Sequence, residues 1–216
     1  MILLPGAGLV VLEMPKAASQ SLRAMLDGLA DPGFLSRPRH AGAAAFEAGH
    51  RRAAEARAGR RVETLCVVRE PVARLRSWWA YRAGRGALPP GLGFADFAAA
   101  CIAPAPPGWA MVGRQDRFTG WDGQSAPVDH MFDQAALPRL VAFLMRRTGR
   151  PLMLPRRNVS AMPCDPPLSG DLGAALARAL AGEVALHAAV ARAGHLRRDP
   201  GPMPGWPLPS WADHVA

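Results

Sequence analysis

Short apolar runs alternate with longer amphipathic stretches along this chain, and the alternation sets the expected order of elements. Leu9-Val10-Val11-Leu12 is a β-branched run that stops at Met14-Pro15, which predicts a strand. After it, Leu22, Met25, Leu26 and Leu29 recur at helical spacing and predict a helix from Ser21 to Leu29. Ala41 to Arg60 is rich in Ala and Arg and lacks proline, so a second helix is expected there. Val62 to Val68 reads as a buried strand, and Pro71, suited to a first helical turn, opens a third helix running to about Tyr81. From Gly84 to Pro127 glycine and proline dominate, interrupted by a short helix at Phe94 to Cys101. Loops of that length carry function or cover a site. Ala135 to Thr148 predicts an amphipathic helix, Pro151 to Leu154 a short strand, and Ser169 to Ala193 one long helix. The Pro-rich tail from about Asp199, with Trp206 in it, predicts an extended strap.

Strands separated by helices imply an α/β fold whose sheet is mainly parallel and covered by helices on both faces. The 216 residues are half hydrophobic, enough to bury one core, and they show neither repeat nor linker, so a single domain over 1–216 is expected.

Charge narrows the partners. The formal charge is +9, and every basic residue except Lys16 is an arginine. Such an excess points to nucleic acid, a membrane surface or a phosphorylated small molecule. Basic residues occur in nothing longer than pairs, such as Arg51-Arg52 and Arg60-Arg61, and aromatics do not interleave with them, so no nucleic-acid partner is expected. Cys66, Cys101 and Cys164 stand far apart with no CxxC pair, so neither a disulfide framework nor a metal site is expected, and a reducing compartment fits. With no basic leader followed by an apolar stretch, neither signal peptide nor transmembrane segment is expected, and the expected location is the cytoplasm.

Two segments carry chemistry. Met14-Pro15-Lys16-Ala17-Ala18-Ser19-Gln20-Ser21-Leu22 joins the first strand to the first helix. A tight loop there aims consecutive backbone N–H groups and the positive end of the helix dipole at one point, a ready anion site. Small residues at 17 to 19 admit a phosphate close to the backbone, and Lys16 adds a mobile point charge. In the second segment, Val67-Val68-Arg69-Glu70-Pro71-Val72-Ala73-Arg74-Leu75-Arg76-Ser77, Arg69 stands where a buried strand ends and Ser77 lies two turns into the next helix. A fixed guanidinium and a hydroxyl can flank one phosphate there. Each segment also has an ordinary reading: a helix start, and an arginine paired with Glu70.

Taken together, strand-Pro-Lys-small-small-small-x-Ser-Leu and Val-Arg-Glu-Pro-x-x-Arg-x-x-Ser resemble the 5′-phosphosulfate and 3′-phosphate motifs of the sulfotransferase family, especially its carbohydrate-type and bacterial branch. The resemblance implies a P-loop-kinase-like α/β domain, 3′-phosphoadenosine 5′-phosphosulfate (PAPS) as donor, and no metal. It implies that Lys16 assists departure of the bridging oxygen. Ala17, Ala18, Ser19, Gln20, Ser21 and Leu22 would cradle the 5′-phosphate, and Arg69 with Ser77 would hold the 3′-phosphate. The likeness extends more weakly through Gln115, Val128-Asp129 and Asn158-Val159-Ser160. The chain departs from the pattern at Gln20, where relatives usually carry Thr, and at Ser19, where Gly is common.

An acceptor hydroxyl needs a base, because a neutral alcohol is a poor nucleophile. His40 falls between the two motifs, where relatives often place a histidine at a helix start, and is the first candidate; as a bare sequence feature it is equally a surface histidine. Glu13, at the mouth of the first loop, is the second. His50, His130, His187, His195 and His214 have no comparable context. Arg157 and Asn158 are candidates for closing the nucleotide site. The acceptor, a glycan, glycolipid or small molecule, is expected against the Gly84 to Pro127 loops with Trp78, Trp79, Trp109 and Trp121. Two other functions stay open: a non-catalytic anion- or nucleotide-binding relative, and a small-molecule kinase. The kinase is disfavoured because no G-x-x-x-x-G-K-[ST] occurs and no Ser or Thr follows the lysine to hold magnesium.

Overall fold

The structure is a computed structural model that describes residues 1–34, 39–155 and 168–198. In chain order the elements are β1 (Ile2–Leu4), β2 (Leu9–Leu12), α1 (Ser19–Leu26), α2 (Ala43–Gly49), α3 (Arg51–Ala58), β3 (Glu63–Val68), α4 (Pro71–Ala83), α5 (Phe94–Cys101), α6 (Gln115–Thr119), β4 (His130–Asp133), α7 (Leu137–Thr148), α8 (Gly170–Ala179), α9 (Ala181–Ala193) and β5 (His195–Arg197). The five strands form one sheet in the order β1-β2-β3-β4-β5. Every residue of β2 and β4 is buried, as is all of β3 except Glu63, so both faces of the central strands are covered.

The α/β class is as expected, but the sheet is mixed rather than mainly parallel. The pairs β2–β3 and β3–β4 are parallel, whereas β1 and β5 run antiparallel along the two edges. The reason is local: Pro5 to Gly8 link β1 to β2, far too short for a parallel crossover. At the other edge a single residue, Gly194 with φ +69°, turns α9 directly into β5. Strand order also follows chain order, so the order reversal that creates the ligand crevice of a doubly wound sheet is not present among these strands. What remains is the side-by-side ending of two parallel neighbours, Leu12 opposite Cys66.

Other boundaries shift too. The first helix starts at Ser19 and gives way to a 3-10 turn at Asp27–Leu29. The single helix expected over Ala41 to Arg60 is two, broken at His50 (φ −129°, ψ −22°). The helix expected over Ser169 to Ala193 breaks at Leu180, and its halves meet at 84°. Gly182 explains the fit at that corner, since a Cβ there would collide with the Asp116 carboxylate of α6. Pro151 to Leu154 is not a strand: Met153 is 87% exposed, while Leu152 and Leu154 lean on the core. Arg157, Asn158, Val159, Ser160, Cys164 and the tail beyond Arg198 lie outside the described residues.

The main core fills around the strands with Leu22, Leu26, Phe46, Phe132, Leu140 and Leu144. A second cluster of Leu75, Phe94, Phe97, Ala98, Leu176 and Leu180 ties α4, α5 and α8 together, which gives the Gly84 to Pro127 stretch more order than its composition suggests. Among the described residues no single helix is long and apolar enough to cross a membrane.

Candidate anion-binding site

Beyond Leu12 the chain turns sharply, and Met14 N–H donates back to the Leu12 carbonyl at 2.9 Å. Pro15 to Ala18 then form a loop in which Lys16 (φ +66°) and Ala18 (φ +61°) are left-handed, the two non-glycine residues of positive φ among those described. Each such residue costs on the order of 1 kcal/mol, and strain held in a short loop is a mark of function. Ala18 is the N-cap of α1, and no side chain closes that end. The first-turn N–H groups of an α-helix have no intrahelical acceptor, so this terminus presents donors and the positive end of the dipole.

The expected cradle divides into two sets. Ala17 and Leu22 are core residues, and the Leu22 N–H already donates to Ala18 at 3.0 Å, which removes it as a ligand donor. Ala18, Ser19, Gln20 and Ser21 line the helix start, Ser19 and Ser21 buried and Gln20 exposed.

The two motifs meet directly. Arg69, half-buried at the end of β3, donates from Nη1 to the Lys16 carbonyl at 3.2 Å. Glu70, its neighbour in sequence, instead caps α4 by accepting from Val72 and Ala73 N–H. Ser77 is buried on α4 and shares a face with Tyr81, one turn on. Over the Tyr81 ring lies Lys16 Nζ, 4.2 Å from the centroid and 5.7 Å from that of Trp78. Arg85 stacks on Tyr81 as well, 4.7 Å from the centroid. Burial, and then the charges of Arg69 and Arg85, push the Lys16 ammonium down to about 8. Burial likewise lowers Arg69. Lys16 is therefore still a cation at neutral pH, held among cations.

Arg69 is fixed from behind. Gln115, fully buried on α6, accepts from the Arg69 N–H at 2.9 Å and donates to the Arg69 carbonyl at 2.8 Å. Its Nε2 also donates to Glu183 of α9 at 3.0 Å, and Glu183 pairs with the buried Arg74 at 3.3 Å. Arg74 completes the network by donating to the Val112 and Gly113 carbonyls. Sequence reasoning placed Gln115 only within a weak likeness, carried Arg74 in the second motif without a role, and missed Glu183, Tyr81 and Arg85. A signal existed for Glu183, the one acid on the inward row Glu183, Leu186, Val190 of α9.

His40 lies exposed in the turn before α2, its Nδ1 at 2.7 Å from the Glu13 carbonyl oxygen. A carbonyl only accepts, so Nδ1 carries a proton, and in the neutral ring the lone pair is on Nε2. Glu13 is a poor base. Its buried carboxylate accepts from the Met1 amino group and from Arg23, with Arg39 alongside. Burial works to raise its pKa, but the hydrogen bonds from Arg23 and the Met1 amino group prevail and hold it below the usual range. Trp79 and Trp109 pack on the second core, edge-on to Phe94 and tilted against Phe97 respectively, and Trp121 leans on the main core; of the four tryptophans only Trp78 contacts the Lys16 ammonium. Asp129, from the weaker likeness, accepts from the Thr64 N–H and hydroxyl at the opposite end of β3 from Arg69 and ties the strands. Among the described residues no group of three His, Cys, Asp or Glu side chains is placed to hold a metal. Comparison with protein-family models, curated proteins and solved structures finds no match to this chain.

Proposed function

We propose that this chain is a sulfotransferase of the carbohydrate-type and bacterial kind, moving a sulfuryl group from PAPS to an acceptor hydroxyl. The observation that carries the reading is the 3.2 Å hydrogen bond from Arg69 to the Lys16 carbonyl, because it joins the two phosphate motifs in a cluster of cations. In this reading the unit β2–loop–α1 is the equivalent of a P-loop. The α1 N-terminus and the N–H groups of residues 18 to 21 receive the 5′-phosphate, while Arg69 and Ser77 take the 3′-phosphate.

The reaction breaks the bond between sulfur and the bridging oxygen, and charge grows on that oxygen as the sulfuryl group leaves. Lys16, protonated at neutral pH, supports that charge most in the transition state. His40 Nε2, with its lone pair free, takes the acceptor proton as the new oxygen–sulfur bond forms.

Calorimetry with adenosine 3′,5′-bisphosphate and AMP tests the donor. A charge-assisted grip on the 3′-phosphate gives a preference of about 1.5–3 kcal/mol, roughly ten- to a hundredfold, which Arg69→Ala should erase. Equal affinity of the intact protein for the two nucleotides refutes the assignment.

A further inference from the structure

Arg85 has no place in either motif, yet it is part of the cluster. It follows the end of α4, its N–H donating to the Arg82 carbonyl at 3.1 Å. Its guanidinium and the Lys16 ammonium stack on the same ring, 4.7 and 4.2 Å from the Tyr81 centroid. The two charges are therefore within roughly 9 Å of each other, inside the Debye length of about 10 Å at 0.1 M ionic strength. Among the described residues no carboxylate forms an ion pair with Lys16, Arg69 or Arg85. The buried indole N–H of Trp78, whose ring lies 5.7 Å from Lys16 Nζ, also has no acceptor among them.

An arginine near a helix C-terminus is ordinarily favoured by the helix dipole. The dipole accounts for a positive charge at the end of α4; it does not account for drawing that charge onto the ring that already carries Lys16. A cation over an exposed aromatic face gains little, which does not offset the gathering of like charges. Tyr81 and Arg85 are exposed, so solvent screens part of this repulsion; a bound anion cancels it, and a donor with two phosphate-type groups brings more negative charge than Lys16 and Arg69 neutralise.

We propose that Arg85 is a third anion-binding residue of this site, and that Lys16, Arg69 and Arg85 together take a ligand carrying at least two phosphate-type groups, with Tyr81 as the platform that holds Lys16 and Arg85 when no ligand is bound. The identity of that ligand as a sulfuryl-donor nucleotide rests on the proposed function; the three-cation site does not. Because Arg69 approaches Lys16 at its carbonyl and Arg85 shares the ring with its ammonium, Arg85 acts at the end of the ligand where Lys16 acts.

The test is calorimetry at fixed ionic strength with two probes, tripolyphosphate and adenosine 3′,5′-bisphosphate, on the wild type, Arg85→Gln and Arg85→Lys, with AMP as a reference on the wild type and thermal melts to show that the variants are folded. Arg85→Gln should weaken both probes about tenfold or more, and Arg85→Lys should recover most of that loss. In nuclear magnetic resonance of lysine-labelled protein, Lys16 should titrate at higher pH in Arg85→Gln, because a like charge has gone. That titration checks that the two charges are neighbours, and the loss of polyphosphate affinity checks that Arg85 binds the anion. Binding of tripolyphosphate to Arg85→Gln within twofold of wild type overturns the proposal. If the wild type binds tripolyphosphate but does not favour the bisphosphate over AMP, the three-cation site stands and the sulfotransferase reading falls. If it binds neither probe, both fall.

Discussion

Replacing Glu183 by Gln puts the network behind Arg69 under direct load. The Arg74 and Glu183 side chains are 3% and 1% exposed and lie 3.3 Å apart, so the substitution leaves a guanidinium buried without its countercharge. The carbonyls of Val112 and Gly113 still accept from Arg74, but neutral acceptors do not replace the charge. Removing one partner of such a pair costs about 3–5 kcal/mol. For a chain of this length that corresponds to a fall in Tm of roughly 6–20 °C, to be read by circular dichroism. Gln115 loses its carboxylate acceptor as well, so the hold on the Arg69 main chain loosens and affinity for adenosine 3′,5′-bisphosphate should fall in the same variant. Replacing both partners with apolar residues, Arg74→Met with Glu183→Leu, should restore much of the stability. A Glu183→Gln protein within about 1 kcal/mol of wild type refutes the claim that this pair supports the site.

Three further outcomes follow from the geometry. Ala18→Gly removes the penalty of a left-handed alanine and should raise Tm by about 2–4 °C, read by differential scanning calorimetry; a lower Tm contradicts the strain argument. His40→Ala should cut turnover by about 10²–10⁴-fold and leave nucleotide affinity intact; near-normal turnover places the base elsewhere. Burial, and then the charge of His130, press His195 down to about 4, so between its ordinary value near 6.5 and 4 the unfolded chain binds the extra proton. Stability should therefore fall as pH drops through that window, and His195→Leu should flatten the fall; an unchanged slope in the variant removes His195 from the account.

How much of this was written in the sequence depended on whether a segment carries its own signal. The β-branched run at Leu9–Leu12, the buried run ending at Val68 and the proline-led helix α4 are local features, and the structure has them at nearly the expected positions. Strand β4 was not legible because its ends are polar: His130 and Asp133 flank two apolar residues, and His130 is tolerated inside only through Glu63 and His195. Strand β5, His-Leu-Arg, has no β pattern at all and exists because Met131 and Leu196 pair across the edge. Conversely, Pro151 to Leu154 is apolar without being a strand, since nothing in the sheet pairs with it.

The site divides in the same way. Lys16, the small residues after it and Arg69 were legible because strand–loop–helix and strand–proline–helix junctions put particular chemistry at particular offsets. The supports were not, because Gln115 and Glu183 reach Arg69 and Arg74 over long sequence separations fixed only by packing α6 and α9 against the ends of the strands. Tyr81 looked like one more helical aromatic until its ring proved to lie beneath two cations.

Lys16 is the only lysine in the chain, so a lysine-labelled sample reports its ammonium as one resolved signal. Titrating that signal by nuclear magnetic resonance, with and without saturating adenosine 3′,5′-bisphosphate, tests the assignment of the site at its centre. The account predicts a midpoint near 8 in the free protein, set by burial and by the charges of Arg69 and Arg85. It predicts an upward shift of about one pH unit or more when the bisphosphate binds, because phosphate charge favours the ammonium. A midpoint at the ordinary lysine value near 10.4, unmoved by the nucleotide, contradicts it.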